Sequence, residues 1–320
     1  MHEIQSLTQG RPVAIVGAGL VGAGWALLFA RAGLQVRLYD SNPVIAQGAI
    51  PLIKKQLADL TEFDLLADPP ADILARLTVC DTLAEAIDGA AYVQESILER
   101  TEVKRALMLE LDAIAGPELI IGSSTSGIPA SAFALGLGIT PRVIIAHPVN
   151  PPYLVPVVEI VPSPHTDPAV VRFTAALMEA AGQSVVNVRK EVEGFVLNRL
   201  QAVLLREAWA LVADGVATCE DIDKTVRDGL GWRWSFMGPF ETIDLNAPGG
   251  IADYAQRLGP LYRSIAESRA HAEEWSPELI KEVEAQRREF LGHEQLESRR
   301  GWRDRALMAF SAQRRRQRQR

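Results

Sequence analysis

The chain has 320 residues, 48% of them apolar and 23% charged, and carries a net charge of −7. That length exceeds one ordinary hydrophobic core and points to about two domains. No run approaches the ~20 apolar residues of a membrane helix, the polar start from Met1 to Gly10 has no apolar leader core, and the acidic balance argues against a nucleic-acid surface, so a cytoplasmic protein is expected.

Val13 to Val16 is an all-apolar run, as expected for a parallel strand covered on both faces. Leu20 to Ala30 reads as an apolar helix that Gly33 stops, and Gln35 to Asp40 as a second strand. Asn42-Pro43 reads as a helix cap followed by a first-turn proline. Further strands are expected from Tyr92, at Leu119–Ile121, Val143–Ala146, Val157–Val161 and Val185–Val188. Amphipathic helices are expected at 102–115 and 167–181. Strands alternating with helices predict an α/β fold with a Rossmann-like, doubly wound sheet over residues 1–190. Beyond Glu191 the strand pattern ceases, and residues 191–320 read as an all-helical domain. Its helices include 195–212, one opened by Thr218 three residues before Asp221, and 278–291. The tail after Ala312 gathers Arg314, Arg315, Arg316, Arg318 and Arg320. It reads as a solvated terminus, with an anion-binding arm as the alternative. Cys80 and Cys219 have no metal or redox spacing, so free thiols and no metal site are expected.

Gly17-Ala-Gly19-Leu20-Val21-Gly22 follows the first strand and opens the first long helix. In that context a G-x-G-x-x-G is a dinucleotide fingerprint. Gly17 serves the tight turn, Gly19 the approach of a pyrophosphate, and Gly22 the packing of helix on strand. Asp40 lies 18 residues beyond Gly22, where a carboxylate accepts hydrogen bonds from ribose hydroxyls and repels a 2′-phosphate. No Lys or Arg follows it directly, which favours NAD over NADP. The alternatives are a glycine turn without a nucleotide and a methyltransferase-type loop.

Three polar features end the later strands: Ser123-Ser-Thr-Ser126, His147 and, one strand on, Glu159. Ligands of such sheets bind at strand carboxyl ends. Oxidising a secondary alcohol needs a base for the hydroxyl proton, and an imidazole with an ordinary pKa near ~6.5 suits it. Glu159 is the candidate to hold the other ring nitrogen, and Ser126 with Asn198 to grip the substrate oxygen. Taken singly, each residue has a plainer reading: a hydrogen-bonded strand-end histidine, a salt-bridged glutamate, a helix-capping serine, a helix-surface asparagine. His2, His165, His271 and His293 sit in polar segments and receive no role.

Together the glycine loop, Asp40, Glu99, Lys104, Ser126, His147, Asn150, Glu159 and Gly194-Phe-Val-Leu-Asn-Arg199 resemble the 3-hydroxyacyl-CoA dehydrogenase superfamily. Within it the chain is most similar to the lambda-crystallin, or L-gulonate 3-dehydrogenase, type. That likeness rests on Ser123 to Ser126, His147 to Tyr153, Lys190-Glu191, Gly229 to Arg233, Gly238 to Thr242, Leu245 to Ala247 and Trp302 to Asp304. The resemblance implies His147 and Glu159 as the catalytic pair, with Ser126 and Asn198 at the reacting oxygen. It implies main-chain contact of Leu20 and Val21 with the NAD pyrophosphate, Asp40 on the adenosine ribose, and Glu99 and Lys104 near the nicotinamide half. Without it, Glu99 and Lys104 read as an ordinary first-turn ion pair. It also implies a homodimer formed largely through the helical domain.

From Pro43 to Cys80, Lys54, Lys55 and Arg76 stand against Asp59, Glu62, Asp64, Asp68 and Asp72, a poor landing for CoA phosphates. Arg233 suits a carboxylate through its bidentate fork, and a surface or interface arginine is the plainer reading. The expected reaction is NAD-dependent oxidation of the 3-hydroxyl of a small L-3-hydroxy acid, with L-gulonate first. The alternatives are 3-hydroxybutyryl-CoA, 3-hydroxybutyrate and L-carnitine. Carnitine dehydrogenases resemble the chain in Gln94-Glu-Ser96, Ser123 to Gly127 and Arg233, and Trp232, Trp234 and Phe236 offer aromatic faces for a quaternary ammonium. A scaffold that binds NADH without turnover is the reading outside catalysis.

Overall fold

The structure, a computed structural model, describes residues 2–269 and 274–318; His271 and Arg320 lie outside them. Eight strands form one sheet: β1 (Val13–Val16), β2 (Val36–Tyr39), β3 (Leu77–Val79), β4 (Tyr92–Glu95), β5 (Ile120–Ser123), β6 (Val143–Pro148), β7 (Val157–Pro162) and β8 (Ser184–Asn187). Their spatial order is β3-β2-β1-β4-β5-β6-β7-β8. Neighbours run parallel except β6 and β7, which pair antiparallel with His147 opposite Glu159. Glu159 thus reaches the His147 end of the sheet from a strand of opposite direction.

Local signals start and stop the helices. α1 (Leu20–Arg31) ends before Gly33, whose φ of +101° is the left-handed conformation glycine adopts without strain. α2 (Pro43–Glu62) is capped by Asn42, which accepts from the Val44 amide at 3.1 Å. α3 (Thr101–Ile114) follows β4, and α4 (Pro168–Ala180) is capped by Asp167, which accepts from Ala169 N at 2.6 Å.

The alternation of β1 divides the core. Val13 and Ile15 join a buried cluster with Trp25, Leu28 and Phe29 of α1, while Ala14 and Val16 join a second one with Met108 and Leu111 of α3. Both faces of the strand are dry, which is why it reads as an unbroken apolar run.

The chain clusters into two compact units, residues 1–200 with 300–320, and residues 201–299. The second unit is helical, and no strand occurs among its described residues. α5 (Leu197–Ala213) begins in the first unit; Thr218 caps the next helix, as expected, by accepting from Asp221 N at 3.2 Å.

The last helix, α6 (Leu296–Arg318), differs from expectation. From Arg300 onward it clusters with the first unit rather than with the helical one. Met308 is buried in the core cluster that holds α1, and Leu307 packs against it. Arg305 binds Asp59 at 3.3 Å and Glu62 at 2.6 Å while its guanidinium lies over the Phe63 ring at 5.1 Å. Among the described residues the helix runs through Arg318, and Arg315 donates to the Asp64 carbonyl at 3.2 Å, so this stretch is not the frayed terminus expected of it; Arg320 lies outside the described residues.

Candidate active site

The glycine loop lies where β1 gives way to α1. A Cβ built on Gly22 would fall 1.8 Å from the Gly17 carbonyl oxygen, and one on Gly17 would fall 2.6 Å from the Ser96 carbonyl carbon. These two glycines are required by the fold itself. Gly19 differs, since a Cβ there would meet nothing within 4 Å. It is the helix N-cap and no side chain caps the helix, so the first-turn amides at Leu20 and Val21 are open to an anion. Asp40 holds the loop from behind, Oδ2 accepting from Ala18 N and Oδ1 from Asn42 N, each at 2.9 Å. The open cradle, the uncapped amides and the carboxylate fit the pyrophosphate and ribose of NAD.

His147 and Glu159 form the second element. His147 Nδ1 lies 2.8 Å from Glu159 Oε2, and both residues are buried. Glu159 Oε1 accepts from Val196 N at 2.8 Å and Leu197 N at 2.9 Å. Burial pushes the Glu159 carboxyl upward, but the hydrogen bonds from His147 and from the two amides together outweigh it, and its pKa is lowered. An ionised carboxylate only accepts, so the proton of a neutral ring sits on Nδ1 and the lone pair on Nε2.

The chain must turn sharply to present those amides. Gly194 (φ +73°) and then Phe195 (φ +50°) adopt left-handed backbone before α5 begins. A bulky residue rarely does so. Here Phe195 is fully buried, with its ring centroid 5.6 Å from that of His147. Phe195 received no role from the sequence, although it sits inside the Gly194–Arg199 motif.

Ser126 and Asn198 are brought together, but through backbone: Asn198 Nδ2 donates to the Ser126 carbonyl at 2.6 Å. The Ser126 side chain is exposed at the loop after β5. Glu99 shapes that loop, its Oε1 accepting from Thr125 Oγ1 at 2.5 Å and Ser126 N at 2.7 Å. Lys104 is fully buried, and Glu99 is not its main partner. Its Nζ lies 2.8 and 3.0 Å from the two oxygens of buried Glu95 and 3.4 Å from Glu99. Glu95 also accepts from Ser123 Oγ and from Ile97 N. An ordinary first-turn pair would sit in water; this one is a dry polar cluster under the site.

A second network stands beside it. Ser124 Oγ accepts from Trp25 Nε1 at 3.0 Å and Gln94 Nε2 at 2.7 Å, and lies 2.8 Å from Ser96 Oγ. Gln94 and Glu95 enter the sequence reading only through the likeness of Gln94-Glu-Ser96 to carnitine dehydrogenases, with no role in the site. Their signal was present: two polar residues end a strand that is otherwise apolar and buried on both faces. Asn150 is exposed in the loop after β6, and among the described residues it has no hydrogen bond to His147 or Ser126. Arg233 is exposed in the second unit, in the short helix Gly231–Trp234.

Comparison with known proteins accords with this geometry. Residues 12–192 match the family described as 3-hydroxyacyl-CoA dehydrogenase, NAD binding domain, and residues 194–293 the C-terminal domain of that family. Lambda-crystallin of Oryctolagus cuniculus is 40% identical over 299 residues, 92% of this chain and 93% of that protein. L-carnitine dehydrogenase of Streptomyces coelicolor is 40% identical over 274 residues, 85% of this chain and 84% of that one. Among solved structures, 5-formyl-3-hydroxy-2-methylpyridine 4-carboxylic acid 5-dehydrogenase, an NAD+ dependent dismutase, superposes with a TM-score of 0.78 at 28% identity, covering 93% of this chain and 96% of that one. With a glycine cradle for NAD and a histidine–glutamate pair at the ends of adjacent strands, the chain belongs to the 3-hydroxyacyl-CoA dehydrogenase family of NAD-dependent oxidoreductases.

Proposed function

We propose that the protein oxidises the 3-hydroxyl of a small L-3-hydroxy acid, with L-gulonate to 3-dehydro-L-gulonate as the leading reaction. The observation that carries the chemistry is the 2.8 Å His147–Glu159 pair, with its carboxylate fixed by two backbone amides. His147 Nε2 takes the hydroxyl proton. Glu159 keeps the ring in the required tautomer and stabilises the imidazolium that forms. Asn198 and Ser126 hold the reacting oxygen. NAD, when bound, supplies the hydride acceptor. Gly17, Gly19, Leu20, Val21, Gly22 and Asp40 hold its adenosine diphosphate half, and Glu99 and Lys104 support the nicotinamide side through the Thr125–Ser126 loop. Because the base must be neutral, oxidation is expected to gain with rising pH and reduction with falling pH.

The preference for a free acid rests on charge. Of the residues between Pro43 and Cys80, Arg76 is tied to Asp68 at 2.6 Å, which leaves Lys54 and Lys55 exposed on an otherwise acidic segment. That is little for CoA phosphates. Arg233 is assigned the substrate carboxylate, with Asn150 as a further polar contact. L-carnitine is the second reading, supported by the exposed Trp232 and Phe236 beside Arg233 and by the similarity to L-carnitine dehydrogenases. A homodimer is part of the proposal, supported by the exposed Trp232, Phe240 and Leu261 of the second unit. A cytoplasmic location is proposed as well; among the described residues no helix is long and apolar enough to cross a membrane.

The test is NADH formation with L-gulonate, L-carnitine, 3-hydroxybutyrate and 3-hydroxybutyryl-CoA, each with NAD and NADP. Preference for L-gulonate with NAD supports the proposal, and preference for the thioester overturns it. Arg233→Ala should raise KM for the preferred acid by at least about tenfold, the scale of a lost charge-assisted pair. An unchanged kcat/KM would remove Arg233 from the site.

A further inference from the structure

A cavity of about 460 Å³ opens in the first unit away from the dehydrogenase site, and its lining shares no residue with the glycine loop or the His147–Glu159 pair. The volume lies within the ~300–1,000 Å³ of small-molecule pockets. One wall is the 152–156 loop and the turn before β8; the other is α6, through Leu307, Phe310, Ser311, Arg314 and Arg315. Arg31, at the end of α1, completes it.

Two independent features of the lining ask for a ligand. The first is uncompensated positive charge. Arg31, Arg314 and Arg315 converge on one space, and among the described residues none of them is paired with a carboxylate. Arg314 lies over the Phe310 ring at 5.7 Å, and Arg315 reaches the Asp64 carbonyl. Burial, and after it the charge of Arg315, lower the Arg31 pKa, so this cation is held where it is least comfortable. The second feature is an orphaned acceptor. Gln183 is 7% exposed and donates through Nε2 to the Pro152 carbonyl at 3.1 Å. Its Oε1 is buried with no hydrogen-bond partner. A buried acceptor left unpaired carries a desolvation penalty, which a donor placed in the cavity removes. Between these polar groups the walls are apolar, with Tyr153, Leu154, Leu307 and Phe310.

We propose that this cavity is a second small-molecule site, built for an amphipathic oxyanion. The anionic head sits on Arg31, Arg314 and Arg315, an apolar body lies against Tyr153, Leu307 and Phe310, and an O–H or N–H of the ligand donates to Gln183 Oε1. Guanidinium forks bind carboxylate and phosphate alike. The site accounts for the basic end of α6. Its wall is the loop between the strands that carry His147 and Glu159, so an occupant braces the catalytic pair from outside.

Calorimetry on the full chain saturated with NAD tests the site, with octanoate, octyl phosphate, 1-octanol and N-hexanoylglycine as probes. One anion should bind per chain, at least about tenfold tighter than 1-octanol, as expected for charge-assisted hydrogen bonds. The tighter of octanoate and octyl phosphate names the head group. N-hexanoylglycine, which adds an N–H donor, should bind tighter than octanoate, and Gln183→Met should erase that advantage. The double variant R31M/R314M should lose anion binding at least about tenfold while keeping its melting temperature and its kcat/KM on the hydroxy acid. Should that variant fail to fold, Ser311→Trp, which fills the space from α6, is expected to abolish binding. Equal binding of octanoate and 1-octanol, no binding of either anion, or wild-type binding by the folded variants would overturn the proposal.

Discussion

The two units are built differently. The first buries both faces of its central strands, and its large side chains Trp25, Phe29 and Tyr92 are fully enclosed. In the second, only Val212, Thr242 and Ala247 are buried among the described residues, while Phe240 is 74% exposed and Trp232 72% exposed. The first unit therefore carries the apolar burial that stabilises a fold by itself. The second presents large apolar side chains to solvent, which is the surface the proposed homodimer would cover. The His147–Glu159 pair lies in the first unit, and the proposed dimer contact lies in the second.

The comparison predicts where damage appears. His147→Gln should reduce oxidation by about 10²–10⁴-fold, the usual contribution of a general base. Its melting temperature should hardly move, since the core does not depend on the imidazole. Steady-state NADH formation and thermal unfolding read the two effects, and near-wild-type turnover would remove His147 as base.

Lys104→Met strikes the dry cluster in the first unit. It strands the buried Glu95 carboxylate, at a cost of roughly 3–5 kcal/mol. Urea unfolding should register the loss with no change in oligomeric state; a variant as stable as wild type would mean Glu95 takes up a proton at little cost.

The second unit should behave in the opposite way. Phe240→Glu with Leu261→Glu is expected to shift sedimentation from dimer to monomer. The melting temperature, concentration-dependent in an assembling protein, should become independent of concentration. Unchanged sedimentation would place those side chains outside the interface.

The smallest effect belongs to acid. The hydrogen bonds to Glu159 lower its pKa in the folded protein. Its contribution to stability is then complete above the ordinary carboxylate value and fades as pH falls through the lower folded value. A shallower acid slope is expected for Glu159→Gln in unfolding followed against pH, and an unaltered slope would locate the acid sensitivity elsewhere.

Much of the first unit could be read from residues in order. The β1 run, Gly33, Asn42 and Asp167 are local signals, and each acts where its pattern says. Direction and partnership are not local. Nothing in Val157–Val161 announces a strand antiparallel to β6, although that reversal sets Glu159 opposite His147. β3 has three residues and no apolar run, and it escaped notice. Without the resemblance Lys104 reads as a first-turn partner of Glu99, five residues away; the fold keeps that contact at 3.4 Å and adds a closer one, to Glu95 at 2.8 Å, that sequence distance does not announce. The end of α6 looked like loose charge because its apolar partners lie in α1 and the 152–156 loop, far away along the chain.

The glycine loop has a consequence for how this protein can change over generations. Gly22 touches backbone, so any side chain there breaks the fold before the cofactor matters. Gly19 faces open space with φ −64° and ψ −167°, values any residue adopts, so a methyl group there leaves the fold intact and would obstruct only the proposed approach of the pyrophosphate. Two glycines three positions apart thus answer to different selective pressures. A lineage that abandoned catalysis and kept the protein for its bulk would be free to drift at Gly19 while Gly22 stayed fixed, and that pair of positions would date the loss.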